Sequence, residues 1–534
     1  MKNPTIQGLL LAIIIFGAIA CNTYFHSFRS NYDNANSLIH ETKNLQTKPF
    51  LKAHLKNGDV CILQDTWVID TAVNTVSGTG SQFDFNRRLV YQGALTIQID
   101  SVAIFETNTK LQNTEAERIR ALSILAGLDL GLGLVCISNP KACFGSCPTF
   151  YFDERDNFHY ADAEGFSNAI SPSMEYFDID ALNTKTITGN TLDLTMKNEA
   201  LETHCVKSVN LLSYPIQDGE RVFQSPNNTF YLCEKPLELV KAHGPEGNIT
   251  ELLQKEDRLE RFSLSDEHNL SSKEELILDF DNLNSSKDLG LVLNFRQSLM
   301  TTYFIYSAIG YMGDQVGDIF AKLETDKSAI KKLNGGLKKE LGNVDIYVWN
   351  ESTKSWVYQD GFYETGPIAI NRQIIPLQAK EKSQKLKVKL VLNKGLWRLD
   401  YAAIAPIKKE VEPLEIQPIQ ILNKGKKDHK ALTAVLDTAK HLISMPGDEY
   451  NFQFRFPHAN TRYELFLYSK GYYIEWMRES WLQDKNLLKL RQLLENPKKY
   501  LRVEAANYKR YETTMEQQFW NSKVDTKSFS YYEN

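Results

Sequence analysis

The sequence predicts an α+β protein built of several β-rich modules, small sandwich- or barrel-like units with helices interspersed. Three observations carry that expectation. The chain has 534 residues, more than one ordinary hydrophobic core organises, so several domains are expected. Its 25 Tyr and 27 Phe are residue types that favour pleated, half-buried surfaces. Short apolar or alternating runs recur along most of its length, separated by turn-forming residues. The formal net charge of -5 at pH 7 leaves no global basic field to hold nucleic acid, so no nucleic-acid partner is expected.

Taken in order, the first element is an export segment. Lys2 gives a short positive start, and residues 8–20 (GLLLAIIIFGAIA) form an unbroken apolar run, shorter than the ~20 residues a spanning helix needs. The run ends at Ala18-Ile19-Ala20-Cys21. With a small Ala directly before a Cys, this site resembles the lipobox of bacterial lipoproteins. The resemblance covers residues 1–21 and concerns processing, not activity. It implies that residues 1–20 are removed, that Cys21 is diacylated on its sulfur, and that its new amino group is then acylated. Two or more acyl chains give durable membrane anchoring where one does not. The alternatives are cleavage by ordinary signal peptidase, which Ala18-Ile19-Ala20 also suits, and an uncleaved anchor helix. Asn22 stands where an Asp would resemble an inner-membrane retention signal, which points to the outer membrane of a Gram-negative cell. Residues 21–50 read as a polar tether between lipid and folded body.

Seven cysteines less Cys21 leave six: Cys61, Cys136, Cys143, Cys147, Cys205 and Cys233. An even remainder suits disulfides in an oxidising compartment, and six cysteines allow fifteen pairings. Proximity favours Cys143–Cys147 and Cys205–Cys233, leaving Cys61–Cys136. The segment Cys143-Phe-Gly-Ser-Cys147-Pro148 also resembles the copper-binding loop of Sco-type copper chaperones, and soft thiolates do select Cu(I). The preferred reading is a structural disulfide, with no metal site and no cofactor.

Residues 51–110 read as a small β unit, with strands at 60–63, 66–69 and 95–100 and a turn at Gly78-Thr79-Gly80. Residues 111–243 combine a helix start at 114–121, an apolar glycine-containing segment at 121–137 and a Cys-containing β module. In that segment Asp129 would cost ~2.5–3.5 kcal/mol at a bilayer centre, so a buried segment is favoured over a second span. A hairpin is expected at 149–152 and 158–160, and further strands at 191–195, 208–214 and 229–233. Residues 244–330 form a mixed segment with strands at 276–280 and 289–294 and a long helix over 296–322. Residues 331–405 carry five short strands (344–349, 355–358, 366–375, 386–392, 397–404) spaced about ten residues apart, the pattern of a sandwich or barrel. Residues 406–430, with Pro406, Pro413 and Pro418, read as a linker or edge segment. Residues 431–534 form an α+β module: strands near 452–456 and 463–467, then helices at 471–481, 487–494 and 507–520.

No short catalytic signature is present: no G-x-S-x-G, H-E-x-x-H, Walker or EF-hand loop occurs. His204, beside Cys205 and near Glu202, reads as a structural histidine. Glu364, within residues 361–367 (GFYETGP), could be a carboxyl in an aromatic setting, but reads as part of a polar turn. Glu475 and Arg478 suit a surface pair on a helix. Trp476 and Trp481 read as core-facing, with an exposed carbohydrate platform as the alternative. No catalytic residue is assigned. The sequence therefore points to a membrane-anchored envelope lipoprotein with a non-enzymatic binding or assembly role, its partner another envelope protein or a glycan. The alternatives are an exported hydrolase using carboxylates on glycan or peptide, and a copper-binding chaperone acting through Cys143 and Cys147.

Overall fold

A computed structural model describes residues 24–31, 51–55, 59–64, 66–70, 72–83, 89–111, 147–152, 161–187, 189–200, 202–281, 283, 288–316, 319, 336–363, 366–378, 384–444, 447–475, 484–521 and 523. Among these residues the strands assemble into five sheets, and the protein is the β-rich α+β assembly its aromatic content and alternation predict. The expected segments at 114–121, 121–137 and 158–160 lie outside the described residues. So do Cys21, Cys136, Cys143, Glu364, Trp476, Arg478 and Trp481.

The N-terminal sheet has its own core, centred on Leu51, Leu63, Trp67, Ile69, Val76 and Ile97. Two expectations change here. Tyr24–Asn31, placed in the polar tether, pairs antiparallel with Val102–Leu111 as an edge strand; Tyr24, Phe25 and Phe28 give it strand character. Gly78 and Gly80 lie inside the strand Thr75–Phe83 rather than in a turn. A Cβ on Gly80 would run into the Ile62 carbonyl oxygen, and one on Gly78 would sit 2.9 Å from the Trp67 Cα. These glycines mark close backbone approach.

The remaining four sheets and the helices share much of one apolar core, which runs from Cys147 to Trp520. The longest strands form its spine: Glu202–Pro215 pairs with Thr461–Glu475. The second of these replaces the helix expected from residue 471. Its buried residues alternate with aromatic Tyr472 and Tyr473 in the middle of a sheet, and Glu475 is wholly buried there instead of facing solvent. Likewise Arg296 and Gln297 end the strand Asp288–Gln297, and the helix expected over 296–322 is Met300–Met312, closed by Gly313 at φ 55°. The segment 406–430 forms strands: Trp397–Val411 runs through Pro406, and Leu414–Ile416 and Pro418–Asn423 follow near sheet edges. The hairpin from Thr149–Tyr151 returns through Ala163–Glu164.

The five strands expected as one module at 331–405 divide between two sheets. Val344–Asn350, Ser355–Phe362 and Leu386–Asn393 join one with Lys273–Phe280, while Asn371–Leu377 and Trp397–Val411 join another. That second sheet closes. Phe230–Glu234, Glu220–Gln224, Asn371–Leu377, Asp288–Gln297 and Trp397–Val411 are neighbours in that order, and the last pairs back with the first. The result is a five-stranded barrel. Phe223, Cys233, Val292, Ile374, Ala403 and Ala405 cluster on its inner face, whereas Leu291, Leu293 and Phe295 belong to the large core outside it.

Candidate ligand cleft at the barrel mouth

Side chains alternate faces along a strand, so the barrel interior can be read from the sequence once Val292 and Ile374 are placed inside. Two residues further along each strand, toward the same end, stand Asn294 and Arg372, which are opposite one another in register. On the neighbouring strand Arg221 lies two residues before Phe223. The barrel thus has an apolar interior and a polar mouth.

Asp400 reaches that mouth through a bulge. Asn294 pairs with Tyr401 and Phe295 with Leu399, so Asp400 is the extra residue between them. A bulge of this kind re-aims a side chain that regular alternation would send to the other face. Asn294, Arg372 and Asp400, joined by Glu256 and Arg258 and by Asp162 and Asn183, line a cavity of about 240 Å³.

Beneath the cavity lies a buried charge cluster. Glu464, on the neighbouring sheet and fully buried, accepts from Arg221 Nε at 2.9 Å, Arg372 Nη2 at 3.2 Å and the Val222 amide at 3.2 Å. Burial alone would raise the Glu464 carboxyl, but the Arg221 and Arg372 guanidiniums hold it below the usual carboxylate range. Arg372 also donates to Glu256 Oε2 at 3.2 Å and to the Leu182 carbonyl at 3.0 Å. Its plane is fixed from three sides, as a guanidinium fork requires.

Three polar atoms in the lining have no protein partner: Asn294 Oδ1, Arg372 Nε and Asp400 Oδ1. Their residues are 5 %, 7 % and 3 % exposed. Buried polar groups are nearly always paired, so three such atoms around one cavity mark a place built for something polar. Burial pushes the Asp400 carboxyl up to about 6, and Glu260, Asp257 and Glu256 push the same way, against one hydrogen bond from the Arg258 amide. Arg258 itself adopts a left-handed backbone, φ 65°, a conformation that non-glycine residues adopt at a cost and that clusters at ligand sites.

The residues singled out from sequence lie elsewhere. Cys61, Cys147, Cys205 and Cys233 are buried thiols. Cys205 belongs to the large core and Cys233 to the barrel interior, so the pairing expected between them is not formed. Their nearness in sequence spans two strands of different sheets. Cys147 donates to Glu164 Oε2 at 3.2 Å, and burial, with Glu164 beside it, pushes its thiol up. A protonated buried thiol is a poor metal ligand, and among the described residues no group of three or more His, Cys, Asp or Glu could hold a metal ion. His204 is enclosed against Glu202 at 2.6 Å, and burial pushes its imidazole down to about 3. It is neutral at physiological pH.

No feature named from the sequence pointed to Asp400. The available signal was a set of polar residues interrupting apolar strands, Asn294 after Leu293, Arg372 before Ile374, and Asp400 between Leu399 and Tyr401.

No family model matches the chain, and no curated protein matches it. Among solved structures, it aligns with the infectious bursal disease virus VP2 subviral particle at 9% identity, over 95% of this chain and 91% of that one. The TM-score of 0.12 means that the two folds do not correspond.

Proposed function

We propose that the protein is a membrane-anchored envelope lipoprotein with a non-enzymatic binding role, and that the cleft at the barrel mouth is its ligand site. The observation that carries this reading is the convergence of Asn294 Oδ1, Arg372 Nε and Asp400 Oδ1, three buried atoms without protein partners, on one cavity. The anchor rests on the Ala20-Cys21 junction. Among the described residues no helix is long and apolar enough to cross a membrane.

One observation favours the exported hydrolase as a second reading. Asp400, held near 6, has the raised carboxyl of a general acid, and Glu256 and Asp162 share its cleft. Binding is preferred because hydrolysis by carboxylates generally employs two. Glu256 is engaged by Arg372, and Asp162 accepts from the Phe152 amide at 2.9 Å. Asp400 alone keeps an oxygen without a protein partner. The full chain, purified from membranes, should bind a ligand from a panel of envelope glycans and peptides without converting it. Turnover that disappears in Asp400→Asn would establish the hydrolase instead.

A further inference from the structure

We infer that the cleft takes an uncharged polyhydroxylated ligand, one sugar ring of a glycan, held by Asn294, Arg372 and Asp400. This rests on the reading of the cleft as a ligand site and names what the site is complementary to.

The three atoms without protein partners set the pattern. Asn294 Oδ1 and Asp400 Oδ1 accept hydrogen bonds, and Arg372 Nε donates one. A hydroxyl both donates and accepts, so adjacent hydroxyls on one ring satisfy two acceptors and a donor together. An amine would satisfy only the acceptors, and a carboxylate or phosphate only the donor.

The charge of the lining points the same way. Asp162, Glu256 and Asp400 face Arg258 and Arg372 across the cavity, so carboxylates outnumber guanidiniums and an anion would enter against them. Arg372 could not offer an anion its fork, because its terminal nitrogens are already engaged by Glu464, Glu256 and the Leu182 carbonyl. A metal cation finds no cluster of three ligating side chains among the described residues, and the two guanidiniums repel it. What remains is a neutral ligand rich in both donors and acceptors.

Size and preorganisation agree. A cavity of about 240 Å³ has room for roughly eight waters at ~30 Å³ each, the scale of one ring and not of an extended chain. Ala161, Ala181 and Ile370 supply a small apolar wall for the C–H face of such a ring. Arg372 is fixed by Glu464 and Asp400 by the Arg258 amide, so the polar groups are in place before the ligand arrives.

The test is calorimetric titration of the full chain with D-glucose, D-galactose, N-acetylglucosamine, glucuronate and glucose 1-phosphate. Asn294→Leu and Asp400→Asn are titrated alongside, each checked for a native circular dichroism spectrum. The expected result is binding of at least one neutral sugar, with affinity falling about tenfold or more in Asn294→Leu and measurably in Asp400→Asn. Binding of glucuronate or glucose 1-phosphate in preference, lost in the same variants, would overturn the ligand class and leave the cleft as a ligand site. Sugar binding indifferent to both substitutions would remove the cleft from either role. If no probe binds and Asn294→Leu is more stable than the wild type, the cavity is a hydrated defect and both readings fall.

Discussion

Arg372 donates to Glu464 at 3.2 Å, and this contact joins the barrel to the strand Thr461–Glu475 of the next sheet. Glu464 answers two arginines, Arg221 and Arg372, with its carboxylate wholly buried. Removing one partner of a buried pair leaves uncompensated charge, which costs far more than the pair contributes. Glu464→Gln keeps the shape and abolishes the charge, so it should destabilise the protein by about 3 kcal/mol, read as a lower midpoint in urea. The carboxyl is held below its ordinary range, so its stabilisation is present above that range and is lost as pH falls through the folded value. The gap between wild type and Glu464→Gln should therefore narrow on acidification. A gap that is constant with pH would show that charge is not what Glu464 supplies.

Asp400 should behave in the opposite sense. Its carboxyl is raised in the fold to about 6, from the model value of 3.8. The folded protein binds this proton more tightly than the unfolded chain, so the favourable contribution is complete below ~4 and is lost as pH rises through about 6. Above that, the ionised carboxylate is a burden of order 2 kcal/mol. Asp400→Asn removes the ionisation without changing the shape. It should raise the melting temperature at pH 7.5 and have little effect at pH 4. Equal effects at the two pH values would mean that Asp400 ionises as an exposed carboxyl does.

How far the sequence reaches is clearest in these same residues. Strand positions were legible wherever alternation or β-branched runs exposed them: Val60–Leu63 and Leu386–Asn393 lie where the pattern puts them. Helix and strand were confused at Gly471-Tyr472-Tyr473-Ile474, because aromatic residues in a fully buried strand carry no period of two. Sheet membership was not legible at all. Which strands close the barrel depends on pairings such as Phe230 with Val411 and Asp288 with Ile407, across separations that local pattern does not encode. The site failed for the same reason. Asn294, Arg372 and Asp400 come from three strands and a bulge, and a bulge is a property of register, invisible until both strands are placed.

The N-terminal unit offers a test of packing independent of the cleft. Gly80 lies opposite Leu63 in register, and a Cβ there would strike the Ile62 carbonyl oxygen. Backbone cannot yield as a flexible side chain does, so Gly80→Ala should cost a few kcal/mol. This unit has its own core around Trp67. The loss should therefore appear as faster hydrogen exchange in residues 51–111 while the barrel strands keep their protection. Unchanged exchange in that region would show that the strands Val60–Leu63 and Thr75–Phe83 can separate without cost.

The last prediction concerns Cys21, which lies outside the described residues and determines where all of this takes place. A signal cut at Ala20-Cys21, with the thioether formed before cleavage, predicts an N-terminal peptide that begins at Cys21 and carries at least two acyl chains. Each buried methylene contributes about 0.8 kcal/mol to membrane binding, and a single chain holds only marginally. Cys21→Ser leaves the apolar run 8–20 intact and removes the only atom that can form the thioether. In the producing bacterium, the wild-type chain should sediment with membranes and resist high salt. Cys21→Ser should either retain residues 1–20 or, if Ala18-Ile19-Ala20 is used by ordinary signal peptidase, be released as a soluble chain. Mass spectrometry separates these outcomes, and an unmodified wild-type N-terminus at Cys21 would remove the anchor while leaving the cleft and its chemistry untouched.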